Sequence, residues 1–123
     1  TPHERSSAAS DVYKRQVLFM DKDNYFSSAI VTFSSEGDYK LWSDSFKLFN
    51  TDKSKEFLRK SGQLNVSCIR IADEHLVKIL IIWEYEDEEA FVRCQKLWSK
   101  WGDIAQEFVS KIVFNRGKKF YSW

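Results

Sequence analysis

Val77-Lys78-Ile79-Leu80-Ile81-Ile82-Trp83-Glu84-Tyr85 is the stretch on which the fold turns. Successive side chains of a strand point to opposite faces. Read as a strand, it carries Val77, Ile79, Ile81, Trp83 and Tyr85 on one face. The other face carries Leu80 and Ile82 between the charged Lys78 and Glu84. A strand that is apolar on both faces has to be covered on both. Helices of the same chain can supply one cover, and a second copy of the chain is the expected source of the other.

The acidic run Glu86-Asp87-Glu88-Glu89 follows at once and predicts a helix beginning near Asp87. Its stripe takes in Ala90 or Phe91, Cys94, Leu97 or Trp98, Trp101, Ile104 or Ala105, Phe108 and Ile112. That spacing is the pattern of a core-facing amphipathic helix. Gly102 can bend or divide it, at roughly 1 kcal/mol relative to Ala. Asn115-Arg116-Gly117 reads as its end, and Lys118 to Trp123 as a short final strand.

Upstream, Ser27 to Ser35 reads as a first strand, with Ala29, Val31 and Phe33 on one face and Ile30 on the other. Ser35 can cap a helix, with Asp38 three residues on. Trp42, Phe46 and Phe49 then recur at helical spacing. Asn50-Thr51-Asp52 interrupts this helix, and Thr51 or Asp52 caps a second piece containing Phe57 and Leu58, closed by Ser61-Gly62. A second strand is expected from Leu64 to Ile71, its apolar phase shifting near Cys68, through a bulge or two-sided burial. Asp73-Glu74-His75 is the expected turn into the third strand, Leu76 to Tyr85.

The chain has 123 residues, enough for one domain with a single core. Aromatic residues make up 16% of it, a supply of large buried areas that excludes a disordered chain. The first residues look foreign to the rest. Ser6-Ser7-Ala8-Ala9-Ser10-Asp11-Val12-Tyr13-Lys14-Arg15-Gln16 resembles translated sequencing-adapter read-through of the kind found in metagenomic assemblies. Residues 1–19 are therefore expected to be a non-native or disordered leader, and residues 20–123, from Met20, the single domain. Without the leader the charges nearly balance, so no global field draws nucleic acid or an anionic membrane. No apolar run reaches the roughly 18 residues of a membrane-spanning helix. Two cysteines, Cys68 and Cys94, make neither a disulfide framework nor a metal-ligand pattern, which points to a cytoplasmic address.

The order β-α-β-β-α-(β) is that of a ferredoxin-like α+β unit. Three local features resemble the dimeric α+β barrel superfamily, which includes the antibiotic-biosynthesis-monooxygenase-like domains. They are Gly37-Asp38-Tyr39-Lys40-Leu41-Trp42 after the first strand, the long first helical region ending in Lys60-Ser61-Gly62, and Ile82-Trp83-Glu84-Tyr85-Glu86-Asp87-Glu88-Glu89-Ala90. The resemblance covers about residues 25–121. It implies a four-stranded antiparallel sheet with the helices on one face and a twofold-related sheet on the other, closing a barrel. It also implies that any small-molecule cavity lies between sheet and helices within one subunit. Some haem-degrading members of the superfamily use an Asn, a His and a Trp together, a trio with no counterpart here, because His75 falls in a turn.

The chemistry-bearing residues have dull readings to set against the functional ones. His75, between acidic neighbours in a turn, reads as solvated rather than as a general base. Cys68 and Cys94 read as core packing rather than as nucleophiles. Arg70 and Glu84 read as a structural ion pair across adjacent strands. Asn65-Val66-Ser67 fits a glycosylation sequon, which has no meaning without secretion. Arg116, Lys118 and Lys119 beside Phe120, Tyr121 and Trp123 suggest RNA contact, since RNA-recognition domains share the same element order. Their third strand carries a basic-glycine-aromatic motif with exposed rings, which Val77 to Tyr85 lacks.

The preferred reading is a homodimeric domain that binds a small apolar or aromatic molecule, with no nucleic-acid or membrane partner, no metal and no cofactor. Cofactor-free monooxygenase-like chemistry is compatible with it, though no residue set supports a named reaction and the catalytic residues stay unassigned. The rival is a structural or interaction module with a filled core. Tyr39, Trp42, Phe46, Arg70, Trp83, Tyr85 and Trp98 are the expected ligand-lining residues. A pocket of roughly 300 Å³ or more between sheet and helices, with at least two polar side chains, separates the two readings.

Overall fold

A computed structural model describes residues 24–123. The leader at 1–19 and the expected start at Met20 lie outside the described residues. Four strands, β1 (Tyr25–Phe33), β2 (Gln63–Arg70), β3 (Val77–Tyr85) and β4 (Lys111–Lys118), form one sheet in the order β2-β3-β1-β4. Every neighbouring pair is antiparallel. Three helices, α1 (Glu36–Phe49), α2 (Asp52–Lys60) and α3 (Glu88–Ala105), complete the ferredoxin-like unit.

Local chemistry sets these elements as expected. Ser35 Oγ accepts the Asp38 amide at the start of α1, Thr51 Oγ1 accepts that of Ser54 at the start of α2, and Asp87 Oδ1 accepts that of Ala90 at the start of α3. Asp73 Oδ1 accepts from the amides of His75 and Leu76, which makes the turn before β3.

The pleat divides the sheet. Tyr25, Ala29, Val31 and Phe33 of β1 and Ile79, Ile81, Trp83 and Tyr85 of β3 face the helices and are buried. They meet Trp42 of α1, Leu58 of α2 and the α3 stripe of Ala90, Cys94, Trp98, Trp101 and Ala105. On the opposite face, Ile69, Leu80, Ile30 and Val113 line up in register across all four strands. Ile69, Ile30 and Val113 of this rung are exposed at 48%, 38% and 43%.

Five expectations are corrected. The bulge in β2 lies between Gln63 and Asn65, not near Cys68, where pairing with β3 is regular. Cys68 and Ile69 are exposed on opposite faces of an edge strand, so Cys68 is not core. Gly102 does not divide α3, which runs unbroken to Ala105. Phe108 and Ile112 do not extend its stripe. A short 3₁₀ turn, Gln106–Phe108, redirects the chain, and Ile112 to Gly117 enter β4 instead of ending a helix. Pairing with the free edge of β1 overrides the helical spacing. Lys118 to Trp123 is accordingly not the final strand. β4 ends at Lys118, and Phe120, Tyr121 and Trp123 are exposed.

The joint between α2, β2 and α3 is tight. Gly62 has φ 101°, and a Cβ there would stand 2.5 Å from the Ala90 Cβ. The Gly62 carbonyl accepts the Glu86 amide at 2.9 Å, and Arg93 Nε donates to the Ser61 carbonyl at 3.1 Å. Gln63, at the bulge, donates from Nε2 to the Asn65 and Glu84 carbonyls, both at 3.0 Å, and accepts Trp98 Nε1 at 2.9 Å. The Cys94 thiol is fully buried, 3.9 Å from the Leu58 carbonyl, and burial pushes it up to about 11.

Gly62→Ala is expected to lower stability by about 2 kcal/mol or more, combining a positive φ with a clash. Gly102→Ala, where a Cβ meets nothing within 4 Å, should raise it by roughly 0.5–1 kcal/mol. Urea midpoints at unchanged slope measure both. Trp98→Ala should cost about 3–5 kcal/mol, and near-normal stability would reject its packing role. The raised Cys94 thiol stabilises the fold fully below its ordinary value of 9.0, and this contribution is lost as pH rises through about 11. At neutral pH a thiol reagent should therefore label Cys68 and reach Cys94 only on unfolding.

Candidate functional site

The helices cover β1 and β3 but leave the outer strand bare. Ile112 and Phe114 of β4 point to the helix side, in register with Val31 and Ala29, yet are 42% and 62% exposed. Between them and α3 opens a cavity of about 630 Å³. Its walls are Val31 of β1, Ile81, Trp83 and Tyr85 of β3, Phe91, Trp98, Trp101 and Ala105 of α3, Trp42 of α1, and Ile112 and Phe114 of β4. Ser27, Gln95, Ser99, Asp103, Lys111 and Arg116 supply the main polar groups.

The aromatic walls hold one another in place. Trp98 packs edge-on to Trp83 and Trp101 at ring separations of 6.0 and 5.9 Å, and Trp42 lies 5.4 Å from Trp101. Buried indole N–H groups need acceptors. Trp98 has Gln63, and Trp101 Nε1 donates to Ser45 Oγ at 3.2 Å. Trp83 Nε1 is buried with no partner. Such a donor costs about 1–3 kcal/mol when it stays unsatisfied.

Ser27 pairs across β1 with Trp83 on one side and Arg116 on the other. The rung Trp83–Ser27–Arg116 thus crosses three strands on the helix side, and all three residues line the cavity. The Arg116 guanidinium lies over the Phe91 ring, 4.9 Å from its centroid. Among the described residues no carboxylate pairs with it. Burial pushes the Tyr85 phenol far above its ordinary value, so it stays a neutral donor.

Of the seven expected lining residues, Trp42, Trp83, Tyr85 and Trp98 meet at this cavity. Phe46 stands behind it, stacked on Trp98 at 6.2 Å and edge-on to Trp101. Tyr39 packs on Phe33 and Trp42, outside the lining. Arg70 is elsewhere. Its guanidinium grips both oxygens of Glu36 at the start of α1 and lies over Tyr39. That contact holds the Glu36 carboxyl below its ordinary value. The expected Arg70–Glu84 pair does not form, because the register sets Arg70 opposite Ile79 and Glu84 opposite Asn65. His75 is exposed in its turn, away from the cavity.

Ser27, Gln95 and Arg116 are among the lining residues that were not anticipated. Ser27 had a readable signal, a small polar residue in phase with Ala29, Val31 and Phe33. Gln95 had none, since it flanks the α3 stripe. Arg116 was hidden by reading its segment as a helix end. Among the described residues, no group of three or more His, Cys, Asp or Glu side chains could hold a metal, and no helix is long and apolar enough to cross a membrane.

Solved structures share this architecture. A dimeric ferredoxin-like protein from an uncultured marine organism superimposes with a TM-score of 0.74 at 22% identity, over 85% of this chain and 94% of that one. A candidate antibiotic biosynthesis monooxygenase from Nitrosomonas europaea gives 0.65 at 9% identity, over 81% and 93%. SnoaB, a cofactor-independent oxygenase from Streptomyces nogalater, gives 0.62 at 12% identity, over 81% and 96%. The ferredoxin-like fold and the likeness to monooxygenase-like domains expected from the sequence are thus borne out. No curated protein matches the chain. Residues 22–118 match the model of the Domain of unknown function (DUF6974), and the chain belongs to that family.

Proposed function

We propose that this domain binds a small, flat apolar or aromatic molecule in the cavity between α3 and the sheet, and that it does so as a homodimer. The observation that carries this reading is the cavity of about 630 Å³, walled by aromatic rings and edged with polar side chains. It lies within the usual size of ligand sites, about 300–1,000 Å³. An interior filled by its own aromatic residues, as a purely structural module requires, would leave no such space.

Binding, rather than catalysis, suits the ionisable groups of the lining. They are Tyr85, Asp103, Lys111 and Arg116. A neutral phenol and two cations are not bases, and Asp103 sits exposed on the last turn of α3. The dimeric half of the proposal rests on the apolar rung Ile69–Leu80–Ile30–Val113, left open among the described residues, and on the dimeric ferredoxin-like neighbour. Its exposed free thiol, Cys68, suits a reducing, cytoplasmic setting.

Titrating the full chain with polycyclic aromatic molecules should quench its tryptophan fluorescence saturably. Gly102→Leu, which sends a side chain from a lining position with open space, should weaken uptake about tenfold or more at unchanged stability. No saturable quenching by any such molecule would reject the binding function. Light scattering across a concentration series should give twice the 14.6 kDa chain mass, and Leu80→Glu should return it to one. A wild-type monomer at every concentration would reject the homodimer.

A further inference from the structure

Resting on the binding reading above, we infer that the cavity selects an aromatic anion, a ring system bearing a carboxylate or similar oxyanion that sits on the Trp83–Ser27–Arg116 rung. The two α3 indoles that line the cavity have acceptors built for them, Gln63 for Trp98 and Ser45 for Trp101. The strand indole, Trp83, is 6% exposed and its N–H has none. The folded chain thus satisfies both α3 donors and leaves the buried donor of Trp83, a residue of the cavity wall, with no acceptor of its own.

The rung explains which acceptor. Trp83 offers an indole N–H and Arg116 a guanidinium, neither of which can accept. Ser27, 6% exposed between them, offers a hydroxyl that can turn to donate. Strand spacing sets the outer two residues roughly 10 Å apart at Cα. Side chains leaning inward can then address one group from both ends. Charge along the lining agrees. Lys111 and Arg116 stand against the single carboxylate of Asp103. The Phe91 ring under Arg116 holds its planar cation at the cavity wall, ready for bidentate contact with two oxygens. The remaining walls are aromatic, so the rest of the ligand is a ring system.

Calorimetric titration of the full chain with naphthoate and its neutral isostere naphthamide tests this. Naphthoate should bind about tenfold or more tighter, the scale of a charge-assisted hydrogen bond. Arg116→Gln, at an exposed strand position, should erase that ratio by weakening naphthoate far more than naphthamide. Trp83→Phe should narrow it. Equal binding of the two molecules to the wild-type chain would overturn the anion assignment and leave the binding reading standing. A ratio that survives in Arg116→Gln would overturn the role of the rung. Failure of both molecules to bind would overturn both readings together.

Discussion

The pleat of β3 imposes a constraint that most of the structure answers. Ile79, Ile81, Trp83 and Tyr85 go to one side and Leu80 and Ile82 to the other, on a strand paired along both edges. A strand so placed cannot turn either apolar face to water without losing burial energy of about 25 cal/mol per Å². On the first side α1 and α3 close over it, and their buried residues are the ones in contact with its odd-numbered side chains. On the second side none of the described helices covers it. Leu80 instead joins a rung with Ile69, Ile30 and Val113 that spans the whole sheet. The same alternation thus fixes the intramolecular core and lines up an apolar rung on the opposite face of the sheet.

Polar accounting within the aromatic layer shows how firmly the cavity walls are set. Four buried tryptophans would be a poor core without acceptors for their N–H groups. Gln63 resolves several demands at once. The bulge beside it breaks the regular ladder, and its amide group donates to two carbonyls there while its oxygen takes the Trp98 N–H. Ser45, on α1, likewise accepts from Trp101 and donates to the Trp42 carbonyl at 2.6 Å. The first of these sites ties α3 to the sheet and the second ties α1 to α3, both through rings that line the cavity. The rotamers are thereby held before any ligand arrives, which limits the ordering cost of binding.

Much of this was legible in the sequence, and the failures have physical causes. Caps at Ser35, Thr51 and Asp87, the two-sided β3 and the stripe from Ala90 to Ala105 are local signals, read from neighbours a few residues apart. Four of the aromatic cavity residues could be picked out because burial on one face is periodic. Arg70 was misplaced because its partner, Glu36, lies 34 residues away at a helix start, and no local pattern encodes that meeting. The β2 bulge was displaced because Cys68 and Ile69 mimic a phase slip, when an edge strand simply carries apolar residues on both exposed faces. Arg116 was lost with the strand that bears it.

That strand is also why a cavity exists. Phe108 and Ile112 continue the spacing of α3, and a helix running through them would extend its apolar stripe. It would also leave the outer edge of β1 without partners for a row of backbone N–H and C=O groups. Pairing eight residues of β4 with that edge satisfies them all, so the chain turns through Gln106–Phe108 and comes back as sheet. The helix therefore ends at Ala105, and it does not reach over the helix side of the strand it gave way to. Ile112, Phe114 and Arg116 are left facing α3 across an open space. The cavity is thus the geometric consequence of completing the sheet with residues that would otherwise have capped it.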